Sequence, residues 1–191
     1  SASVELLLNA KASVNAIDCD NYTPLRYAVS RDDSSSAQRL IDAGANVDQR
    51  FSIDECLISD ALSQPSERML KLLLDAKADV NKVVEYHARP VIDLIDKKNH
   101  DALELLIKAG LDLSEPRVSA DVIHEAVTKG DSKMLRMLLE GKANVNAGPY
   151  GRRKTPLMTV LTSNRINMGI FNLLLDAGAR VEDCVLNGET I

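Results

Sequence analysis

An apolar phrase recurs through this chain at a nearly fixed interval, and that interval constrains the fold more than any other feature of the sequence. The phrase reads LLLNAKASVN ending at Asn15, LIDAGANVD at Asp48, LLLDAKADVN at Asn81, LLIKAGLDL at Leu113, LLEGKANVN at Asn146 and LLLDAGARVE at Glu182. Its apolar anchors, Val14, Val47, Val80, Leu113, Val145 and Val181, lie 33, 33, 33, 32 and 36 residues apart. A period of this length, held across the chain, means stacked supersecondary units that each touch only their neighbours.

A second phrase follows each anchor by about nine residues. It is Thr23-Pro24-Leu25-Arg26-Tyr27-Ala28, and its copies begin at Cys56, Arg89, Asp121 and Thr155. Threonine caps a helix start, and proline fits the first turn because its missing amide would be unpaired there anyway. Each unit therefore reads as two short helices. The first starts at the Thr-Pro-Leu phrase and the second carries the leucine run, such as Met69, Leu70, Leu72, Leu73 and Leu74. Helices this short do not stand alone in water, so they must bury their apolar faces against neighbouring units. With 45% hydrophobic residues, the chain has the means to build such a core.

The period near 33, TPLRYA at Thr23 to Ala28, TPL at Thr155 to Leu157 and the LL…A…VN phrases together resemble the ankyrin repeat family. The resemblance covers essentially the whole chain. It implies an all-α helical repeat solenoid of helix–turn–helix units joined by β-hairpin-like loops, or fingers. It also implies that ligands are taken at the fingers and on the concave face of the first helices. The expected layout is one array over 1–191: a partial unit over 1–17, repeats over about 18–50, 51–83, 84–116, 117–148 and 149–184, and the start of a further unit over 185–191. The turn after each second helix, where the backbone goes left-handed, carries Gly44, Gly110 and Gly178 but also Lys11, Lys77 and Lys142. Each lysine there costs about 1 kcal/mol relative to glycine. The last full repeat holds extra residues around Gly148 to Gly151 and around Ser163 to Met168. Neither end carries a polar cap, so the chain reads as a piece of a longer protein or an array whose ends a partner covers.

Catalytic constellations are not found. His124-Glu125-Ala126-Val127-Thr128 approaches a zinc-protease motif but has threonine where the second ligand belongs. His124 instead aligns with Arg26, where the family places a histidine that bonds between repeats. There is no GxxxxGK[ST], GxGxxG or GxSxG. No cofactor, metal or catalytic residue is expected, and the chain is read as not an enzyme. Cys19, Cys56 and Cys184 form no CxxC and read as small apolar fillers in a reducing, intracellular and by default cytoplasmic setting. A net charge of −5 argues against nucleic acid as a partner, and no run reaches the length of a membrane span.

What remains is a surface for a protein partner, alone or within a larger complex. Tyr22, Phe51, Tyr86 and Tyr150 fall in the fingers, and Tyr27 falls on the concave side of a first helix. A core would normally claim aromatics, and interfaces favour exposed ones. They either contact a partner or stiffen adjacent fingers. The register of Tyr27 also places Asp60, Asp93 and Glu125 in the groove, while Arg152 and Arg153 lie in the last full finger. Asn81, preceded by Leu73 and Asp79, is similar to asparagines that the oxygen-sensing asparaginyl hydroxylase modifies in this family; the plainer role is bonding backbone groups in the finger. The expected function is non-catalytic protein recognition or scaffolding. The alternatives are a structural spacer in an assembly and a targeting arm of a larger enzyme or effector.

Overall fold

The computed structural model describes residues 2–52, 55–64, 67–148, 154–163, 165–181, 185–186 and 189–190. The described residues fold as successive pairs of short helices, and the chain clusters into two compact units, 1–86 and 87–191. Apart from the helices, the described residues hold an isolated bridge between Arg50 and Cys56 and a two-residue antiparallel ladder, β1 (Val185–Leu186) on β2 (Glu189–Thr190).

In the first unit, α1 (Ala2–Asn9), α3 (Ser34–Asp42) and α5 (Glu67–Asp75) form one row, and α2 (Pro24–Ser30) and α4 (Leu57–Leu62) form a second. Leu25, Leu57, Met69, Leu70 and Leu73 fill the space between the rows and are fully buried. In the second unit α6 (Arg89–Asp96), α8 (Pro116–Lys129) and α10 (Pro156–Leu161) form the first row. Helices α7 (His100–Lys108), α9 (Ser132–Glu140) and α11 (Met168–Asp176) form the second. Leu94, Ile95, Leu103, Leu106, Leu113, Ile123 and Met134 are its largest buried side chains.

The helix starts follow the sequence. The Thr23 hydroxyl accepts the Arg26 amide at 3.2 Å and Thr155 accepts the Met158 amide at 3.3 Å, each with proline in the first turn. At Cys56, where threonine is lost, the Ser59 hydroxyl accepts the Cys56 amide at 3.0 Å instead. At α6 the imidazole of His87 accepts the Arg89 amide at 3.1 Å. The second helices have their own caps. Asp33, Asn99, Asp131 and Asn167 accept first-turn amides of α3, α7, α9 and α11 at 2.9–3.2 Å.

The six turns after the second helices are all left-handed. Lys11, Lys77 and Lys142 stand at φ 58°, 65° and 66°, against 87°, 96° and 86° for Gly44, Gly110 and Gly178.

Among the described residues, two fingers depart from the expected hairpin. Over Val80–Val83 the chain makes a 3₁₀ turn, capped by Asp79, whose carboxylate accepts the Asn81 amide at 3.0 Å. Ahead of α8 the helix starts at Pro116 rather than at the Asp121 phrase, because Glu115 caps it and accepts the Val118 amide at 2.8 Å. In place of a hairpin, Leu113 donates its amide to the Gly141 carbonyl at 2.9 Å. The buried Ser119 hydroxyl donates to the Leu113 carbonyl and accepts the Asn144 amide at 2.9 Å.

Candidate protein-binding surface

Within residues 1–86 the finger aromatics gather around one cation. Arg26 projects from α2 and is almost fully buried, with its guanidinium 4.0 Å from the Tyr22 ring centroid and 4.2 Å from that of Phe51. Those two rings belong to successive fingers and lie 6.4 Å apart, close to parallel. The edge of the guanidinium is bonded by Glu55 at 2.8 Å and Asp60 at 3.0 Å. Burial works against the Arg26 charge, but Glu55 and Asp60 more than offset it and hold its pKa above the ordinary value. Burial pushes Asp60 up, the Arg26 guanidinium pulls it down, and the nearby Glu55 charge adds a further push upward.

Tyr22 and Phe51 are thus half-buried rather than free, and they serve the contact between fingers. Asn21 extends that contact by donating to the Phe51 carbonyl at 3.0 Å. Tyr27 and Tyr86 differ. Tyr27 is 39% exposed and Tyr86 54% exposed. Each is nonetheless held in place. The Tyr27 hydroxyl donates to Asp18 at 2.6 Å, and its ring lies 5.2 Å from that of Tyr22. That bond raises the pKa of Tyr27 and lowers that of Asp18. The Arg50 guanidinium lies 4.7 Å over the Tyr86 ring while it pairs with Glu85 and donates to the Lys82 carbonyl. Sequence reasoning placed these aromatics in fingers but did not find Arg26 and Arg50 as their partners. The signal was an arginine one turn into the Thr-Pro helix and another beside Phe51.

The acids of the groove register are paired with cations of this chain. Asp60 belongs to Arg26, as above. In the second unit Asp93 is bonded by Arg89 at 2.9 Å, and Glu125 lies 3.4 Å from Lys129, which also bonds Asp96 at 2.7 Å. His124 meets the Thr159 hydroxyl of the next repeat at 3.4 Å, the inter-repeat role its alignment implied. His100 meets Asp131 at 2.8 Å in the same manner.

The finger asparagines clamp neighbours. Asn15 donates to the Gly44 carbonyl at 3.3 Å and accepts the Asn46 amide at 2.8 Å. Asn146 repeats this with the Gly178 carbonyl at 3.1 Å and the Arg180 amide at 2.8 Å. Asn81 sits at the equivalent position and is exposed. Tyr150, Arg152, Arg153 and Cys184 lie outside the described residues. Cys56 is buried as its filler role requires, whereas Cys19 is exposed, because it stands at the tip of the first finger between Asp18 and Asn21, where nothing packs over it.

Among the described residues no group of three or more His, Cys, Asp or Glu could hold a metal ion, and no helix is long and apolar enough to cross a membrane.

Comparison with known proteins places these repeats. Residues 20–51 and 122–148 match the family model for the ankyrin repeat. No curated protein matches the chain. Among solved structures it resembles an ankyrin repeat domain from Acinetobacter baumannii AYE, with 24% identity, 94% of each chain covered and a TM-score of 0.75. The ankyrin repeat domain of Bcl-3, described as a unique member of the IkappaB protein family, is 21% identical with a TM-score of 0.72, covering 100% of this chain and 84% of that one. The human ASB11 ankyrin repeat domain is 20% identical with a TM-score of 0.69, covering 99% and 84%. At these identities the likeness is one of fold.

Proposed function

We propose that this array of repeats, whose residues 20–51 and 122–148 match the ankyrin repeat, is a non-catalytic protein-recognition module whose contact surface in residues 1–86 centres on Tyr27 and Tyr86. Ankyrin repeats are generally protein–protein interaction modules. The observation that carries the reading is that two tyrosines stay exposed while their side chains are held by Asp18 and Arg50. A ring held in place before binding loses little rotamer freedom on contact, and tyrosine offers an apolar face with a polar tip; both favour interface hot spots. Tyr22 and Phe51 support this surface from below through Arg26. The paired acids Asp60, Asp93 and Glu125 act on orientation and association rate more than on affinity.

The test is affinity capture from source lysate with mass spectrometry, comparing the wild-type chain with a Tyr27→Ala/Tyr86→Ala variant of unchanged helical circular dichroism. A protein captured by the wild type and lost by the folded variant supports this surface. A partner set that persists unchanged would falsify it.

A further inference from the structure

The connection between α10 and α11 runs over 162–167, whereas 31–33, 97–99 and 130–131 suffice between the paired helices of sister repeats. Ser163, Arg165, Ile166 and Asn167 of the longer connection wall a cavity of about 530 Å³ against the C-terminal end of α8. A volume of that order accommodates a peptide side chain and its neighbours.

The chemistry of the cavity is one-sided. Its base is apolar, built from Val127, Val160 and Ile170, which are 8%, 3% and 0% exposed. Ile166 at its rim leaves 49% of its surface in solvent, and Met168 just beyond it leaves 56%. Among the described residues, no carboxylate lines it. The Thr128 hydroxyl donates to the His124 carbonyl at 2.8 Å and the Ser163 hydroxyl to the Val160 carbonyl at 2.7 Å, so both protons are engaged within the chain. The Asn167 carbonyl oxygen is occupied by the Gly169 and Ile170 amides. Lys129 is held by Asp96 and Glu125. What is left at the rim is the Asn167 side-chain NH₂ and the Arg165 guanidinium, and neither has an acceptor among the described residues. An apolar base beneath uncommitted donors, one of them charged, complements an apolar group with an adjacent anion.

We propose that this cavity docks a partner segment that buries an aliphatic or aromatic side chain on Val127, Val160 and Ile170 and sets a neighbouring carboxylate on Arg165. The site rests on the reading of the array as a protein-recognition module, but it lies in residues 87–191 and uses none of the finger tyrosines.

A random dodecapeptide display library panned on the full chain supplies the probes, and fluorescence anisotropy of the enriched peptides measures them. Enriched peptides should pair a Leu, Ile or Phe with an Asp or Glu one or two positions away. Arg165→Glu should weaken them about tenfold or more, as expected when a charged contact is reversed. A peptide with its acid replaced by lysine should bind Arg165→Glu better than the wild type. Because Arg165 is exposed, the substitution should leave circular dichroism unchanged. Tyr27→Ala/Tyr86→Ala should leave these affinities unchanged, which separates this site from the finger surface. No enrichment, enrichment of sequences without acids, or equal binding to Arg165→Glu would each overturn the proposal. So would a concentration-dependent dimer abolished by Arg165→Glu, which would make a second copy of the chain the occupant.

Discussion

Arg26 stacks on Phe51 with its guanidinium 4.2 Å from the ring centroid, joining the first helix of one repeat to the finger of the next. The same group is bonded by Glu55 and Asp60, so charge, fork geometry and π-face are satisfied by one side chain. Arg26→Ala leaves Asp60 half-buried without its cation and opens the space between Tyr22 and Phe51. Removing one partner of such a pair costs about 3 kcal/mol. Arg26→Lys keeps the charge but loses the planar fork and the stack, and should cost roughly half as much. Urea unfolding followed by circular dichroism checks both, and equal stability of all three proteins would contradict the keystone role.

The left-handed turns give a gain of stability. Lys77 and Lys142 hold φ values that side chains with a Cβ tolerate poorly, and their sister turns are glycine. Lys142→Gly and Lys77→Gly should each stabilise by about 0.5–1 kcal/mol, the left-handed penalty removed less the extra freedom glycine has when unfolded. Gly110→Ala should destabilise by about 1 kcal/mol, since an added Cβ meets no atom and only the backbone angle resists it. Midpoints of chemical denaturation read out all three; a destabilised Lys142→Gly would mean that the lysine makes a compensating contact.

Acid should act through Asp131. Partial burial pushes its carboxyl up, but the Met134 and Lys133 amides and His100 hold it below its ordinary value of 3.8. A carboxylate with a depressed folded pKa contributes stability that is present above about pH 4 and lost as pH falls through the folded value. Asp131→Asn keeps a cap acceptor and removes the titration. Its stability should therefore fall less steeply than that of the wild type between pH 5 and pH 2. Parallel acid limbs in a pH series of urea midpoints would show that Asp131 does not carry this dependence.

The period, the helix pairs and the left-handed turns were legible because each follows from local chemistry: an apolar stripe, a Thr-Pro start, a glycine or its lysine substitute. The placement of Tyr22, Phe51 and Tyr86 in fingers was legible for the same reason. Their partners were not, because Arg26 and Phe51 are 25 residues apart and only the stacking of repeats brings them together. The caps of the second helices could have been read, since Asp33, Asn99, Asp131 and Asn167 are each an Asp or Asn standing three or four residues ahead of the first buried apolar side chain of the helix. The early start of α8 is also written in Glu115-Pro116, an acid followed by a first-turn proline, whereas the repeat register alone points to Asp121. The cavity beside Arg165 shows in sequence only as extra residues near Ser163 to Met168, which give its location and not its chemistry.

Asn146 tests whether the fingers are coupled to one another or only adjacent. Its amide donates to the Gly178 carbonyl and accepts the Arg180 amide, so one side chain satisfies two backbone groups of the next finger. Asn146→Ala abandons both and should cost about 1–2 kcal/mol, two exposed-to-half-buried bonds at about 0.5–1 kcal/mol each. Asn146→Asp retains acceptance, as Asp48 does naturally when it takes the Asp79 amide at 2.8 Å, but cannot donate and sets a charge against the carbonyl. Its cost should fall between those of the wild type and the alanine variant. Hydrogen exchange of the Arg180 amide separates the two effects. That amide should exchange fast in Asn146→Ala and stay protected in Asn146→Asp. Protection lost in both, or in neither, would mean that the carbonyl of Asn146 is not what holds the next finger.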